Sequence, residues 1–132
     1  MKLKNTTIFS KDLIKEVIRF VKPSDVSKFN VEVKHSNRGY SATAFYHRPR
    51  IVIRIGDNTY PCKFTKREGL GYLESFVFSP TELLVKLIAH ELRHLWQCKH
   101  PKGWRVWGAR GRFSERDADA YAIHKVREWR RR

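Results

Sequence analysis

Residues Ser79-Pro80-Thr81-Glu82 write the start of a helix, and the rest of the fold has to be built around it. A serine at the N-cap accepts a hydrogen bond from an unpaired first-turn amide. Proline suits the first helical position because an N–H there would have no intrahelical partner, and a glutamate three residues after the cap completes the capping pattern. The spacing predicts a helix from about Pro80 to about Gln97.

Weaker signals bound the other elements. Ser10 precedes Leu13, Ile14, Val17, Ile18 and Val21 at helical spacing, and Pro23 stops the pattern, which predicts an N-terminal helix over Lys11 to Val21. From Phe29 to Phe64 the character changes to strand. Phe29 to Val33 alternates, Tyr40 to Tyr46 is aromatic and rich in Thr and Ala, and Arg50 to Ile55 is strongly β-branched. Asn37-Arg38-Gly39, His47-Arg48-Pro49 and Gly56-Asp57-Asn58 supply turns, so three or four antiparallel strands are expected. Ile51, Ile53 and Ile55 share one strand face while Arg50, Val52 and Arg54 share the other, so one side should be buried and the other largely wet. Gly69-Leu70-Gly71 reads as a mobile or tightly turned loop. Ser114 with Asp117 is a looser capping box that opens a last helix, continuing to about Trp129, with residues 99–113 as the connecting loop.

The chain of 132 residues has the length of one domain, 1–132, and 41% hydrophobic residues suffice for a packed core. No run of 18 apolar residues occurs, and the basic start Met1 to Thr7 lacks the apolar stretch of a secretory signal, so the expectation is a cytoplasmic monomer with no membrane contact. The 28 Lys and Arg against 13 Asp and Glu leave a net charge of +15. Such a balance suits a polyanionic partner, nucleic acid included, but solvated basic faces give the same count, and charge alone does not decide. Cys62 and Cys98 are too few for a disulfide scaffold and are expected as free thiols.

Within the capped helix stands His90-Glu91-Leu92-Arg93-His94, an H-E-x-x-H pattern. Side chains four apart share a helix face, so both imidazoles can reach one ion, while Glu91, about 100° round, can touch a water on it. Imidazole suits Zn²⁺, and three protein ligands leave a coordination position open for chemistry. Two residues compete to be the third. His100 has the spacing of the metzincin pattern, but Gln97 stands where that pattern turns the chain with glycine, and the only methionine, Met1, leaves no Met-turn. Glu115 opens the run Glu115-Arg116-Asp117-Ala118-Asp119-Ala120-Tyr121-Ala122, in which Glu115 and Asp119 are i and i+4 on one face. Glu115 can bind the metal while Asp119 accepts a hydrogen bond from the far nitrogen of a ligating imidazole, fixing its tautomer and raising its basicity. Ala118 and Ala122 flank that face, and their small side chains let the two helices approach. The expected set is therefore His90, His94 and Glu115 on the metal, Glu91 as catalytic base and Asp119 behind the ligands. Acids at a helix start are ordinary by themselves, because they complement the macrodipole.

H-E-x-x-H followed by E-x-x-x-D resembles the gluzincin group of zinc metallopeptidases. The stretch Glu115 to Ala122 is especially similar to the E-x-x-A-D segment of the small stand-alone members called minigluzincins, and ImmA-like phage peptidases look similar there. The order of helix, small sheet, H-E-x-x-H helix and glutamate helix resembles the whole minimal architecture. The resemblance implies a zincin-like single domain of α+β class, with a small, mainly antiparallel sheet and Zn²⁺ as cofactor. It implies a protein or peptide substrate, hydrolysed by a water that zinc acidifies towards about pH 7, with Glu91 taking the proton and returning it to the leaving amine. An edge strand that aligns the substrate through main-chain hydrogen bonds is also implied, with Arg50 to Ile55 as the candidate. An oxyanion-stabilising side chain should exist too, and helical geometry points neither Tyr121 nor His124 towards Glu115.

Two other functions fit parts of the same sequence. Arg and aromatic residues alternate over Trp104 to Phe113, as on stacking platforms for nucleic acid, which resembles a DNA-associated protease of SprT-like type, although tryptophans beside packed helices also fill satellite cores. Alternatively, the chain is a non-catalytic basic nucleic-acid-binding module with structural zinc and a contact tail of Arg127, Arg130, Arg131 and Arg132. That reading needs a fourth ligand such as Cys98 or His100, because structural zinc sites are normally closed.

Overall fold

Ser10 and Ser79 each cap a helix, accepting from the amides of Leu13 and Glu82 at 3.1 Å. In the computed structural model, which describes residues 1–100 and 112–132, the order is β1 (Leu3–Asn5), α1 (Lys11–Val21), β2 (Asn30–His35), β3 (Tyr40–Phe45), β4 (Arg50–Ile55) and β5 (Cys62–Phe64). A 3-10 turn (Glu68–Leu70), β6 (Ser75–Val77), α2 (Pro80–Lys99) and α3 (Arg112–Arg130) follow. The Glu82 carboxylate accepts from the amide of Phe78, one residue before the cap, so the capping pattern closes one position earlier than the sequence implies. α2 extends two residues past the expected Gln97.

The expected antiparallel strands come out as a mixed sheet in the order β1-β2-β4-β3. β1 and β4 both pair parallel with β2, and β3 alone runs antiparallel to its neighbour β4. The cause is in β4. Ile51, Val52 and Ile53 are all buried, so this strand is apolar on both faces and takes the centre, and β3 is displaced to the edge. Two expectations change with it: Val52 is 4% exposed rather than wet, and Arg50 to Ile55 is a central strand, not an edge. The reversal between β2 and β3 uses Gly39 at φ 63, and Gly56 lies so close that an added Cβ would sit 2.6 Å from the carbonyl of Ser36.

The core lies between the sheet and the helices. Ile14, Val17, Ile18 and Val21 of α1 meet Val31, Val33, Ile51 and Ile53 of the sheet and Leu83, Leu84, Ile88 and Leu92 of α2. Each such fully buried aliphatic side chain is worth about 1.5–3 kcal/mol of transfer free energy. β5 and β6 form a separate antiparallel hairpin that carries the 3-10 turn at its tip. Together with β1 these short strands carried no sequence signal, since three residues are too few to show alternation.

The start of α3 departs from expectation. Ser114 lies inside the helix and is 1% exposed, so it is not an N-cap, and the carboxylate of Asp117 is taken by Arg93 and Gln97 instead. The helix opens at Arg112, and residues 101–111, with most of the Trp104 to Phe113 segment, lie outside the described residues. Ala118 and Ala122 are fully buried, as close packing of α3 on α2 requires. Neither Cys62 nor Cys98 is in a disulfide. Among the described residues no helix is long and apolar enough to cross a membrane.

Candidate metal centre

Four electron-rich atoms meet where α2 faces the first turn of α3. Nε2 of His90 and Nε2 of His94 are 3.1 Å apart, and the two carboxylate oxygens of Glu115 lie 3.1 Å from the first and 2.9 Å from the second. Helical periodicity brings the imidazoles together, and the close approach permitted by Ala118 and Ala122 brings in the carboxylate.

The hydrogens at these atoms follow from the partners behind them. Nδ1 of His94 faces the side-chain oxygen of Gln97 at 2.8 Å. The Gln97 amide is oriented by two acceptors, the carbonyl of Ser114 at 2.8 Å and Asp117 at 2.9 Å, so the group facing His94 is its oxygen. Nδ1 of His90 faces Asp119 at 3.4 Å. Both Nδ1 atoms therefore carry the hydrogen, and in the neutral rings both Nε2 lone pairs point at the carboxylate of Glu115. Lone pairs and a carboxylate at such distances repel unless a cation or added protons lie between them. Donors at ~2.0–2.1 Å from a tetrahedral Zn²⁺ stand about 3.3 Å apart, close to the spacing here. The His-Glu-x-x-His group could thus hold a metal ion, with one potential ligand atom each from His90, Glu91 and His94 within 4.8 Å of one another. Glu115 comes nearer to the imidazoles than that limit, at 3.1 Å from His90 and 2.9 Å from His94.

Burial and charge divide the acids into two kinds. Glu91 is 6% exposed, and burial raises its carboxyl above the ordinary value against the opposing pull of His90 and His94. Burial also pushes Glu115 upward, but its hydrogen bonds to both imidazoles win and hold it well below the ordinary value. Asp119 goes the same way, because His90, Lys86 and the amide of Leu73 together outweigh its burial. A proton acceptor and a pair of fixed anions thus coexist within one cleft.

That cleft, of about 420 Å³, has α2 as its floor, the β5–β6 hairpin as its roof and β3 as a wall. Three side chains in and behind it escaped the sequence reading. Gln97 orients His94, and its place three residues on along α2 was the available signal. Lys86, 2% exposed, donates to Ser75 Oγ at 2.8 Å and stands 3.3 Å from Asp119, one turn before His90 on the same helix face. Tyr72 lies over His90 with ring centroids 6.4 Å apart and lines the cleft together with Glu115; burial first, then Glu115, pushes its hydroxyl up to about 12. It comes from the roof, where the sequence offers only Gly69 and Gly71 as a hint of a turn.

The remaining candidates lie elsewhere. His100 caps α2, stacks on Trp96 with centroids 4.4 Å apart and faces Asp25 at 3.4 Å. Tyr121 donates to the carbonyl of Val21, and His124 faces Glu128 at 3.1 Å on the surface. Within the C-terminal arginine run, Arg130 holds Glu82 and Arg132 holds Glu16. No protein-family model, curated protein or solved structure matches the chain.

Proposed function

We propose that the protein is a zinc-dependent metallopeptidase of gluzincin type, with His90, His94 and Glu115 as ligands and Glu91 as general base. The observation that carries this reading is the meeting of two imidazole lone pairs and a carboxylate at 2.9–3.1 Å beside a buried, proton-accepting glutamate. When bound, zinc supplies Lewis-acid chemistry, polarising a peptide carbonyl and making water acidic enough to attack near pH 7.

The chain's own residues do the rest. Glu91, with its carboxyl raised by burial, takes a proton from the attacking water and delivers it to the departing amine. Asp119 and Gln97 keep the imidazoles in the tautomer that presents Nε2. Tyr72 has its hydroxyl beside the ligand set and is protonated throughout the working range, so it is the donor for the charge that develops on the carbonyl oxygen. The strand bordering the cleft is β3, through Tyr40, Ser41 and Ala42, and its outer edge has no strand partner among the described residues. An extended peptide can add there, which moves the expected substrate strand from β4 to β3.

The test is metal analysis of the purified protein together with hydrolysis of an unstructured protein such as casein, with and without a chelator. The expected result is about one zinc per chain and cleavage that the chelator abolishes and added zinc restores. A zinc-loaded protein that cuts no peptide bond would refute the assignment.

A further inference from the structure

The roof of the cleft is closed at its tip by a narrow bridge in which Arg67 and Tyr72 exchange both backbone hydrogen bonds, at 3.0 and 3.1 Å. Residues directly opposite each other in an antiparallel pair put their side chains on the same side of the ribbon. Tyr72 sends its ring over His90 and lines the cleft, so Arg67, which lines it too, is directed to the same side. Its charge reaches Tyr40 on the opposite wall, where burial raises the hydroxyl and Arg67 pulls the other way. Arg67 is exposed and lines the cleft with both tyrosines.

The other charges of the cleft, Glu91 apart, have partners. Lys86 is buried against Asp119 and Ser75. Lys63 has Glu74 at 3.9 Å and the ring of Phe76 at 6.0 Å. Glu115 sits on the imidazoles, and Asp119 is shared between His90 and Lys86. Among the described residues no carboxylate forms an ion pair with Arg67. A planar guanidinium directed into a peptide-sized cleft, with no carboxylate paired to it among the described residues, matches an oxyanion, and on an unmodified peptide side chain that is a carboxylate. The net charge of +15 adds a long-range field that draws acidic chains towards the molecule.

We propose that Arg67 is a specificity-determining residue that selects peptides carrying an aspartate or glutamate side chain close to the bond to be cut. This rests on the peptidase reading for what fills the cleft, but binding can be measured without turnover.

The experiment uses three dye-labelled extended peptides identical except for a central Glu, Gln or Lys. Their binding to the zinc-loaded Glu91→Gln protein is followed by fluorescence anisotropy, alone and combined with Arg67→Glu or Arg67→Lys, and wild-type cleavage of the same peptides is measured in parallel. The Glu peptide should bind roughly five- to tenfold more tightly than the Gln peptide, with the margin shrinking as salt rises. Arg67→Glu should move the preference to the Lys peptide, whereas Arg67→Lys should keep part of the preference for Glu. Equal binding of the Glu and Gln peptides, or a preference that survives Arg67→Glu, overturns the role of Arg67, whether or not the peptides are cut. A preference that follows Arg67 with no peptide cleaved overturns the peptidase reading and leaves the carboxylate site standing. Binding of none of the three overturns both.

Discussion

The side-chain oxygen of Gln97 stands 2.8 Å from Nδ1 of His94, and the amide of the same side chain reaches across to α3 at Ser114 and Asp117. One glutamine therefore sets the tautomer of an imidazole and the spacing between two helices. Gln97→Leu, of similar volume, leaves Nδ1 of His94 and the carbonyl of Ser114 without these partners. Zinc affinity should fall about 10- to 100-fold, and stability by about 1–3 kcal/mol. Chelator competition and denaturant unfolding measure the two effects, and an unchanged zinc affinity would mean that packing alone holds His94.

Glu91→Gln keeps the size and burial of the side chain but removes the proton acceptor. The variant should retain its zinc while kcat falls by about 100-fold or more. Hydrolysis at the wild-type rate would remove Glu91 from the chemistry.

Glu115→Ala and His100→Ala separate the two candidates for third ligand. Glu115 touches both imidazoles, whereas His100 stacks on Trp96 beside Asp25. Metal content should drop in the first variant and persist in the second. The opposite pair of results would return the ligand role to His100.

How much of this was legible beforehand differs from element to element. Both caps that begin an amphipathic run, Ser10 and Ser79, read correctly, because the signal lies within four residues and the structure uses it locally. Glu115 and Asp119 both face His90, at 3.1 and 3.4 Å, since the period of a helix converts spacing directly into direction. The sheet did not read so directly. Alternation tells which residues share a face but not which strand neighbours which, and the burial of Val52 that places β4 in the centre is a property of the assembled sheet. Ser114 misled because a capping residue is recognised by its neighbours in sequence, and here Asp117 is claimed by Arg93 and Gln97 from another helix. Tyr72 could not be found at all, since it enters the cleft from a hairpin with no periodic pattern.

Tyr72→Phe deletes the hydroxyl while keeping the ring over His90. Zinc content and KM should change little and kcat should fall by about 10- to 100-fold, the size expected for losing one donor to a developing negative charge. A rise in KM at constant kcat would make Tyr72 a substrate contact only.

In the metal-free protein, burial pulls His90 down, but its hydrogen bonds to Asp119 and Glu115 and the charges of Glu91 and Glu115 win and raise it from 6.5 to about 9. The imidazolium therefore stabilises the fold fully below about 6.5, and that contribution is lost as the pH rises through about 9. Glu115 has the opposite sign. It is held below its ordinary 4.5, so its contribution is present above that value and lost in acid. Zinc requires the neutral ring, so its affinity should rise about tenfold per pH unit between about pH 6 and pH 9. Thermal melts with and without zinc should accordingly diverge over that range, the metal-free Tm falling while the benefit of zinc grows. Parallel curves would mean that His90 exchanges no proton for the metal.

Asp119 receives the backbone amide of Leu73 at 2.8 Å as well as Lys86 and His90, so one carboxylate is common to the hairpin, both long helices and the imidazole proposed as a ligand. Drawing His90 onto an ion pulls on the same group that pins the hairpin down. Under the proposed function, assembly of the centre and stiffening of the surface against which a peptide would rest become a single cooperative event. On the proposed reading, removal of the ion would cost the protein grip as well as chemistry.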